Sequence, residues 1–323
     1  MSTPQIMGVI NLSPHSFSAT GRCLSRDETL YHAERIIQEG ADIIDVGGEA
    51  TNPGVSTSMI NSPDALGSGL GSGLGSESGS IISAQEELDR VIPIVEMLAQ
   101  RFAIPISVDT SKPRIMREAI AHGATMINDV RGLTVPGSLE AIAQTQAAVC
   151  LMHMSFPFGK PSAPTPLPQA GEGRKTISTQ QAGDESGERM FDDPLGDDPV
   201  QKIKNFLQNK VESCISQGIS RNRIVIDPGI GHGNFGKSLA QNLQLLNRLS
   251  EFKDLGFPLL IGVSRKTFIG ELLNLPEQER LFGSLGAAVV AVLHGANIIR
   301  VHDVRATVEA VKVAVGIRGL SED

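Results

Sequence analysis

The sequence predicts an α/β fold, a single (β/α)8 TIM barrel over residues 1–323, on three observations. Short apolar, β-branched runs alternate with amphipathic stretches rich in Glu, Arg and Ala. Eight runs of each kind occur. The chain of 323 residues has the length that one barrel with long loops needs. A doubly wound open sheet is the alternative. The expected strands are residues 6–11, 42–46, 104–109, 125–128, 148–152, 223–227, 258–263 and 297–301. They are mostly apolar throughout, as strands buried on both faces are. The expected helices are residues 27–39, 84–100, 112–121, 138–144, 199–217, 239–249, 277–293 and 304–315. In the second, Leu88, Val91, Ile92, Val95 and Leu98 fall on one face. Gly40, Gly123 and Gly218 stand where helices should stop.

Two segments interrupt the alternation, in the loops after strands two and five. Residues 55–83 contain a Gly/Ser tetrad repeat, with eleven of the fifteen residues from 66 to 80 being Gly or Ser. Residues 155–198 are rich in Pro, Gly, Ser, Gln and acid. Both are expected to be flexible insertions. Residues 55–83 carry a net charge of −2 and residues 155–198 carry −4, so they hold −6 of the chain's −8. The rest is nearly neutral, and the acidic balance says little about a site.

Composition removes several function classes. An acidic chain with no Trp and one Tyr is a poor nucleic-acid binder. No apolar run approaches the roughly 18 residues of a membrane span. The N-terminus lacks the basic and apolar regions of a signal peptide. Cys23, Cys150 and Cys214 are far apart and odd in number, which suits neither disulfides nor zinc. A cytoplasmic location is expected, and Cys150, inside an apolar strand, reads as a buried structural thiol.

In a barrel the chemistry sits at the carboxyl ends of the strands. Those ends read Asn11, Asp45 with Glu49, Asp109, Asn128, Met152 with His153, Asp227, Ser264-Arg265-Lys266, and Arg300 with His302. Asp109, Asn128, Asp227 and Lys266 suit a polar slot for a planar heterocycle, since carboxylates and amides pair with alternating N–H and N groups. Asn11, Arg300 and His302, near strands one and eight, suit an anion or phosphate. The Asn11 amide oxygen can complete a Mg2+ shell with phosphate oxygens and water. A competing motif runs from Gly231 to Ser238, GHGNFGKS, which fits the phosphate-binding P-loop pattern. The three residues Asp-Pro-Gly between strand and loop speak against it.

The strings MGVINLSPHSFS, ADIIDVGGEATNPG, ISVDTSK, MINDVRG, VCLMHM, IDPGIG with FGK, IGVSRKTFIG and IIRVHDV occur in that order. Together they resemble the dihydropteroate synthase family, over nearly all the chain outside the two insertions. The resemblance implies a transferase of folate biosynthesis. It would condense 4-aminobenzoate with (7,8-dihydropterin-6-yl)methyl diphosphate to give 7,8-dihydropteroate and diphosphate. It implies Mg2+ as cofactor and a homodimer joined through the last helices. By motif match, Asp109, Asn128, Asp227 and Lys266 would hold the pterin, with Met152 and Gly262 lining the slot. Asn11, Arg300 and His302 would hold diphosphate and the metal. Phe17, Thr51, Pro53 and Ser264 would frame the aminobenzoate. Asp109, Lys266 and Arg300 would act in the chemistry. A pterin-binding paralogue and a methyltetrahydrofolate-dependent methyltransferase are the alternatives. The match departs in the first two loops. His15 and Ala19 stand where the family usually has acids, and Asn52 stands where it usually has Arg.

Overall fold

A computed structural model of the chain describes residues 3–12, 25–48, 82–154, 195–196, 198–232 and 235–319. The two expected insertions lie outside the described residues except at their ends. There Ile82 and Leu195 are buried, and Ser83 and Asp198 each cap a helix.

The strands are β1 (Gln5–Asn11), β2 (Ile43–Gly47), β3 (Ile106–Asp109), β4 (Met126–Asp129), β5 (Ala148–Met152), β6 (Ile224–Asp227), β7 (Leu260–Gly262) and β8 (Ile298–Val301). All pairings are parallel, in the order β6-β5-β4-β3-β2-β1-β8-β7. A parallel bridge between Ile226 and Leu259 joins the two ends of that order, so the sheet curls into a barrel. The helices are α1 (Arg26–Gln38), α2 (Ala84–Arg101), α3 (Pro113–Ala121), α4 (Ser138–Ala143), α5 (Pro199–Ser216), α6 (Leu239–Asn247), α7 (Thr267–Leu273), α8 (Leu281–Leu293) and α9 (Val304–Gly319).

Local chemistry sets the helix ends. Ser25 with Glu28, Ser83 with Glu86, and Ser238 with Gln241 form reciprocal capping boxes at the starts of α1, α2 and α6. After α1, Gly40 takes a φ of +103°. Its N–H bonds the Ile37 carbonyl while the N–H of Ala41 bonds that of Ile36. That double bond pattern absorbs the helix's last free carbonyls. The expected 277–293 helix is split: Glu277–Glu279 is a 3-10 turn and α8 begins at Leu281. The expected 239–249 helix stops at Asn247 and the chain passes into a 3-10 stretch, Leu249–Leu255. Helix α7 was not anticipated. It buries Phe268, Ile269 and Gly270, too few residues to print a period.

Strand residues alternate between two apolar environments. Outward residues such as Ile10, Ile44, Val108, Ile127, Leu151, Ile226 and Ile299 pack under the helices. On α2 the buried apolar residues are Leu88, Val91, Ile94, Val95 and Leu98, while Ile92 is only partly covered. Inward residues Met7, Ile43, Met126, Cys150, Val225, Leu260 and Ile298 plug the barrel. Cys150 is fully buried and burial pushes its thiol well above the usual range, so it is a packed structural thiol.

Candidate active site

One alternation step along the strands from that plug, the inward residues become polar. Asp45, Asp109, Asn128, Asp227 and Arg300 come from five different strands and form a layer toward the carboxyl ends. Arg300 ties two of the carboxylates together. Its Nε donates to Asp45 Oδ2 at 2.6 Å and its Nη2 to Asp109 Oδ2 at 2.9 Å. Asn128 Nδ2 also donates to Asp45 Oδ2, at 3.4 Å. The other Asp45 oxygen is buried and accepts no hydrogen bond among the described residues. Asp227 Oδ1 accepts the Gly229 N–H at 2.7 Å.

Burial sets the charge states of this layer. It raises the Asp109 carboxyl to about 7, against the opposing pull of Arg300 and with the help of Asp45. It also raises Asp227, opposed by the Gly229 N–H and by Lys266 and Lys237. Burial lowers the Lys266 ammonium to about 8 although Asp227 pulls it the other way. His302 is lowered to about 4, by burial and then by Arg300, so its imidazole is neutral near pH 7.

The loops after β6, β7 and β8 carry the rest. Lys266 Nζ lies 3.7 Å above the Phe235 ring. Ser264 Oγ is 3.1 Å from His302 Nδ1 and also accepts the His302 N–H. Between them Arg265 sits at a φ of +56°, which is strained for a side chain of that size. Three anchors hold it there. A fork of 2.9 and 2.6 Å bonds reaches Asp303, Ser284 Oγ accepts its N–H, and Arg280 donates to its carbonyl. That fixed turn places Ser264 and Lys266 on either side. Met152 is paired in register with Asp227, and Gly262 with Arg300. A Cβ at Gly262 would lie 3.8 Å from Arg300 Cβ. Asn11 ends β1, half-buried. A Cβ at Gly47 would stand 3.8 Å from its Oδ1 and 3.7 Å from Asp109 Cβ, so the missing side chain leaves room between the two.

Of the residues the sequence singled out, Asn11, Asp109, Asn128, Met152, Asp227, Gly262, Ser264, Lys266, Arg300 and His302 all lie at this end of the barrel. Phe17, Thr51 and Pro53, and the departures at His15, Ala19 and Asn52, lie outside the described residues. The sequence reading grouped Arg300 with Asn11 and His302; in the structure its guanidinium is bonded into the carboxylate layer. It also gave no role to Asp45, Phe235 or Lys237. Asp45 was discoverable, because it shares strand parity with Gly47, the register partner of Asp109. The P-loop alternative fails on contacts. The Lys237 ammonium is buried against the carbonyls of His153 and Phe235, and Ser238 Oγ is the α6 cap. At the amino ends of the strands, a shallow cavity of about 310 Å³ is lined by Lys253, Gly256, Phe257, Gly295, Ala296, Asn297 and Arg318. It carries no carboxylate and lies at the opposite end of the barrel from the polar layer.

A sequence model of the family described as pterin binding enzyme matches residues 7–66 and 73–302. The chain belongs to this family. It is 41% identical over 313 residues to the dihydropteroate synthase of Escherichia coli strain K12, covering 97% of this chain and 91% of that one. A Coxiella burnetii dihydropteroate synthase solved with pteroic acid superposes with a TM-score of 0.75 at 41% identity, covering 99% of this chain and 95% of that one. The Xanthomonas albilineans dihydropteroate synthase solved with 4-aminobenzoic acid gives 0.75 at 36% identity, covering 98% and 94%. This pterin-binding enzyme is therefore a transferase of the dihydropteroate synthase type. Among the described residues, no helix is long and apolar enough to cross a membrane.

Proposed function

We propose that the polar layer condenses 4-aminobenzoate with (7,8-dihydropterin-6-yl)methyl diphosphate, giving 7,8-dihydropteroate and diphosphate. The observation that carries this reading is the convergence of Asp109, Asn128 and Asp227 in one buried layer, with Lys266, on the loop beyond β7, close enough for its charge to act with Asp227 and Asp109. A planar heterocycle edged with N–H and N groups satisfies such a set. Asp227 accepts from the pterin's amino edge, while Asn128 and Lys266 donate to its acceptors. Met152 and Gly262 bound the slot.

On this reading the diphosphate lies toward Asn11, Arg300 and His302. Arg300 stays charged, and its N–H groups not given to Asp45 and Asp109 face the anion. A neutral His302 donates one N–H, and an arriving diphosphate stabilises its protonated form. Among the described residues no group of three or more His, Cys, Asp or Glu is gathered to hold a metal. The Asn11 amide oxygen, beside the space left by Gly47, would hold a Mg2+ ion together with diphosphate oxygens and water. When bound, that ion supplies charge neutralisation of the leaving group. Arg300 and His302 stabilise the charge that grows as the methylene C–O bond breaks. The ionised Asp109 carboxylate faces the positive charge left on the pterin methylene. The aromatic amine then forms the new C–N bond and gives up a proton. Ser264 and the loops holding Phe17, Thr51 and Pro53 would receive the aminobenzoate.

A homodimer in the cytoplasm completes the proposal. Exposed Leu272, Leu273, Phe282, Val290, Leu293, Val313 and Ile317 on α7, α8 and α9 support an apolar interface through the last helices. The pterin assignment is tested at Asp227. Asp227→Ala should weaken pterin substrate binding in calorimetry by about 2–4 kcal/mol, the scale of a buried charged hydrogen bond. Unchanged affinity would remove Asp227 from the site.

A further inference from the structure

Lys237 is the largest fully buried side chain in the described structure and has 2% exposure, although it carries an amine. A buried ammonium is costly unless its protons are placed. Here Nζ donates to the Phe235 carbonyl at 3.1 Å and to the His153 carbonyl at 3.3 Å. His153 is the first residue beyond β5, and Phe235 belongs to the loop beyond β6, so one amine joins the ends of two neighbouring strands. The site of this junction is crowded. Gly229, at a φ of +70°, sits so close that a Cβ there would overlap the His153 carbonyl oxygen and lie 3.3 Å from Lys237 Nζ. The N–H of that same glycine bonds Asp227. From the other side, Asn242 is fully buried, accepts the Gly231 N–H and donates to the Lys237 carbonyl.

Two consequences reach the polar layer. The carbonyl that Lys237 holds belongs to Phe235, whose ring lies under the Lys266 ammonium. While protonated, Lys237 also acts on Asp227 in the same direction as Lys266, and Asp227 in turn opposes the burial that lowers the Lys237 ammonium to about 7. Asp227 thus faces two buried amines, one above the Phe235 ring and one holding its backbone.

We propose that Lys237 is a positioning residue for the pterin half of the reaction: it seats Phe235 beneath Lys266 and supplies Asp227 with a second positive neighbour. The inference rests on the pterin reading of that layer. It extends the reading to a group that need not touch substrate.

Lys237→Met keeps length and apolar volume and removes the charge. Calorimetry with the pterin substrate across pH, beside melting temperature and the Michaelis constant for aminobenzoate, tests it. Roughly ten-fold or greater loss of pterin affinity is expected, with the aminobenzoate constant within about two-fold of wild type. The pH at which affinity falls on the acid side should move upward, because Asp227 loses a stabilising charge. A lower melting temperature with unchanged pterin affinity and pH profile would make Lys237 a structural staple and overturn the proposal. Should Lys237→Met not fold, Phe235→Leu decides: weakened pterin binding in a stable protein supports the proposal, and unchanged binding overturns it. Wild-type protein that fails to bind the pterin would instead sink the reading of the site.

Discussion

On the proposed function, Asp109 and Lys266 are the groups that would give the site its pH dependence. Burial holds the Asp109 carboxyl protonated up to about 7, well above its ordinary 3.8. The folded state therefore binds this proton more tightly than the unfolded chain does. The stability so gained is complete below about 4 and is lost as pH rises through about 7. On the proposed function the rate runs the other way, since the carboxylate is the form that would face the pterin methylene. Arg300, bonded to Asp109 at 2.9 Å, offsets part of the cost of ionising it. Lys266 gives up its proton near 8. The pH profile of kcat/KM for the pterin substrate should thus be bell-shaped, with apparent limbs near 7 and near 8 that belong to the coupled layer. Asp109→Asn should lower the rate and leave only the part of the acid limb that the buried Asp227 sets. A flat profile from 6 to 9 would show that neither group controls binding or chemistry.

At the scale of the elements, the helices are pressed closely on the strands that present the layer. Gly48, just after β2, lies against α2. A Cβ there would come 2.5 Å from Val91 Cγ2 and 3.0 Å from Glu87 Cγ. Val91 is fully buried and β-branched, so it has little room to turn aside. Gly48→Ala should destabilise the protein by about 1–3 kcal/mol, read as a lower denaturation midpoint with an unchanged slope. An unchanged midpoint would mean that α2 can slide away from β2. The same compactness explains what was legible in the sequence. The strands were readable because each is a short apolar run bounded by a polar residue, and α2 because it repeats an apolar face. Helix α7 was not, since seven residues with three buried carry no period. The Arg300–Asp45 bond spans 255 residues, and only the register of the closed barrel brings its ends together. Lys237 was visible only as part of a P-loop pattern, because a sequence does not record that an amine is buried on carbonyls.

The whole molecule separates stability from chemistry along the barrel axis. The amino-terminal end is an apolar plug of Met7, Ile43, Met126, Val225, Leu260 and Ile298; the carboxyl end is a ring of charges held together by Arg300. Most of the net charge lies in residues 55–83 and 155–198, so the rest of the chain is close to neutral and, on the proposed function, the ring rather than the global charge would select the substrate. If this ring performs one two-substrate condensation, diphosphate and dihydropteroate must form together. Both are measured with the pterin diphosphate, 4-aminobenzoate and Mg2+ supplied singly and in combination. Equal amounts of diphosphate and dihydropteroate are expected only when all three are present. Diphosphate released without 4-aminobenzoate, or the absence of turnover with all three, would contradict it.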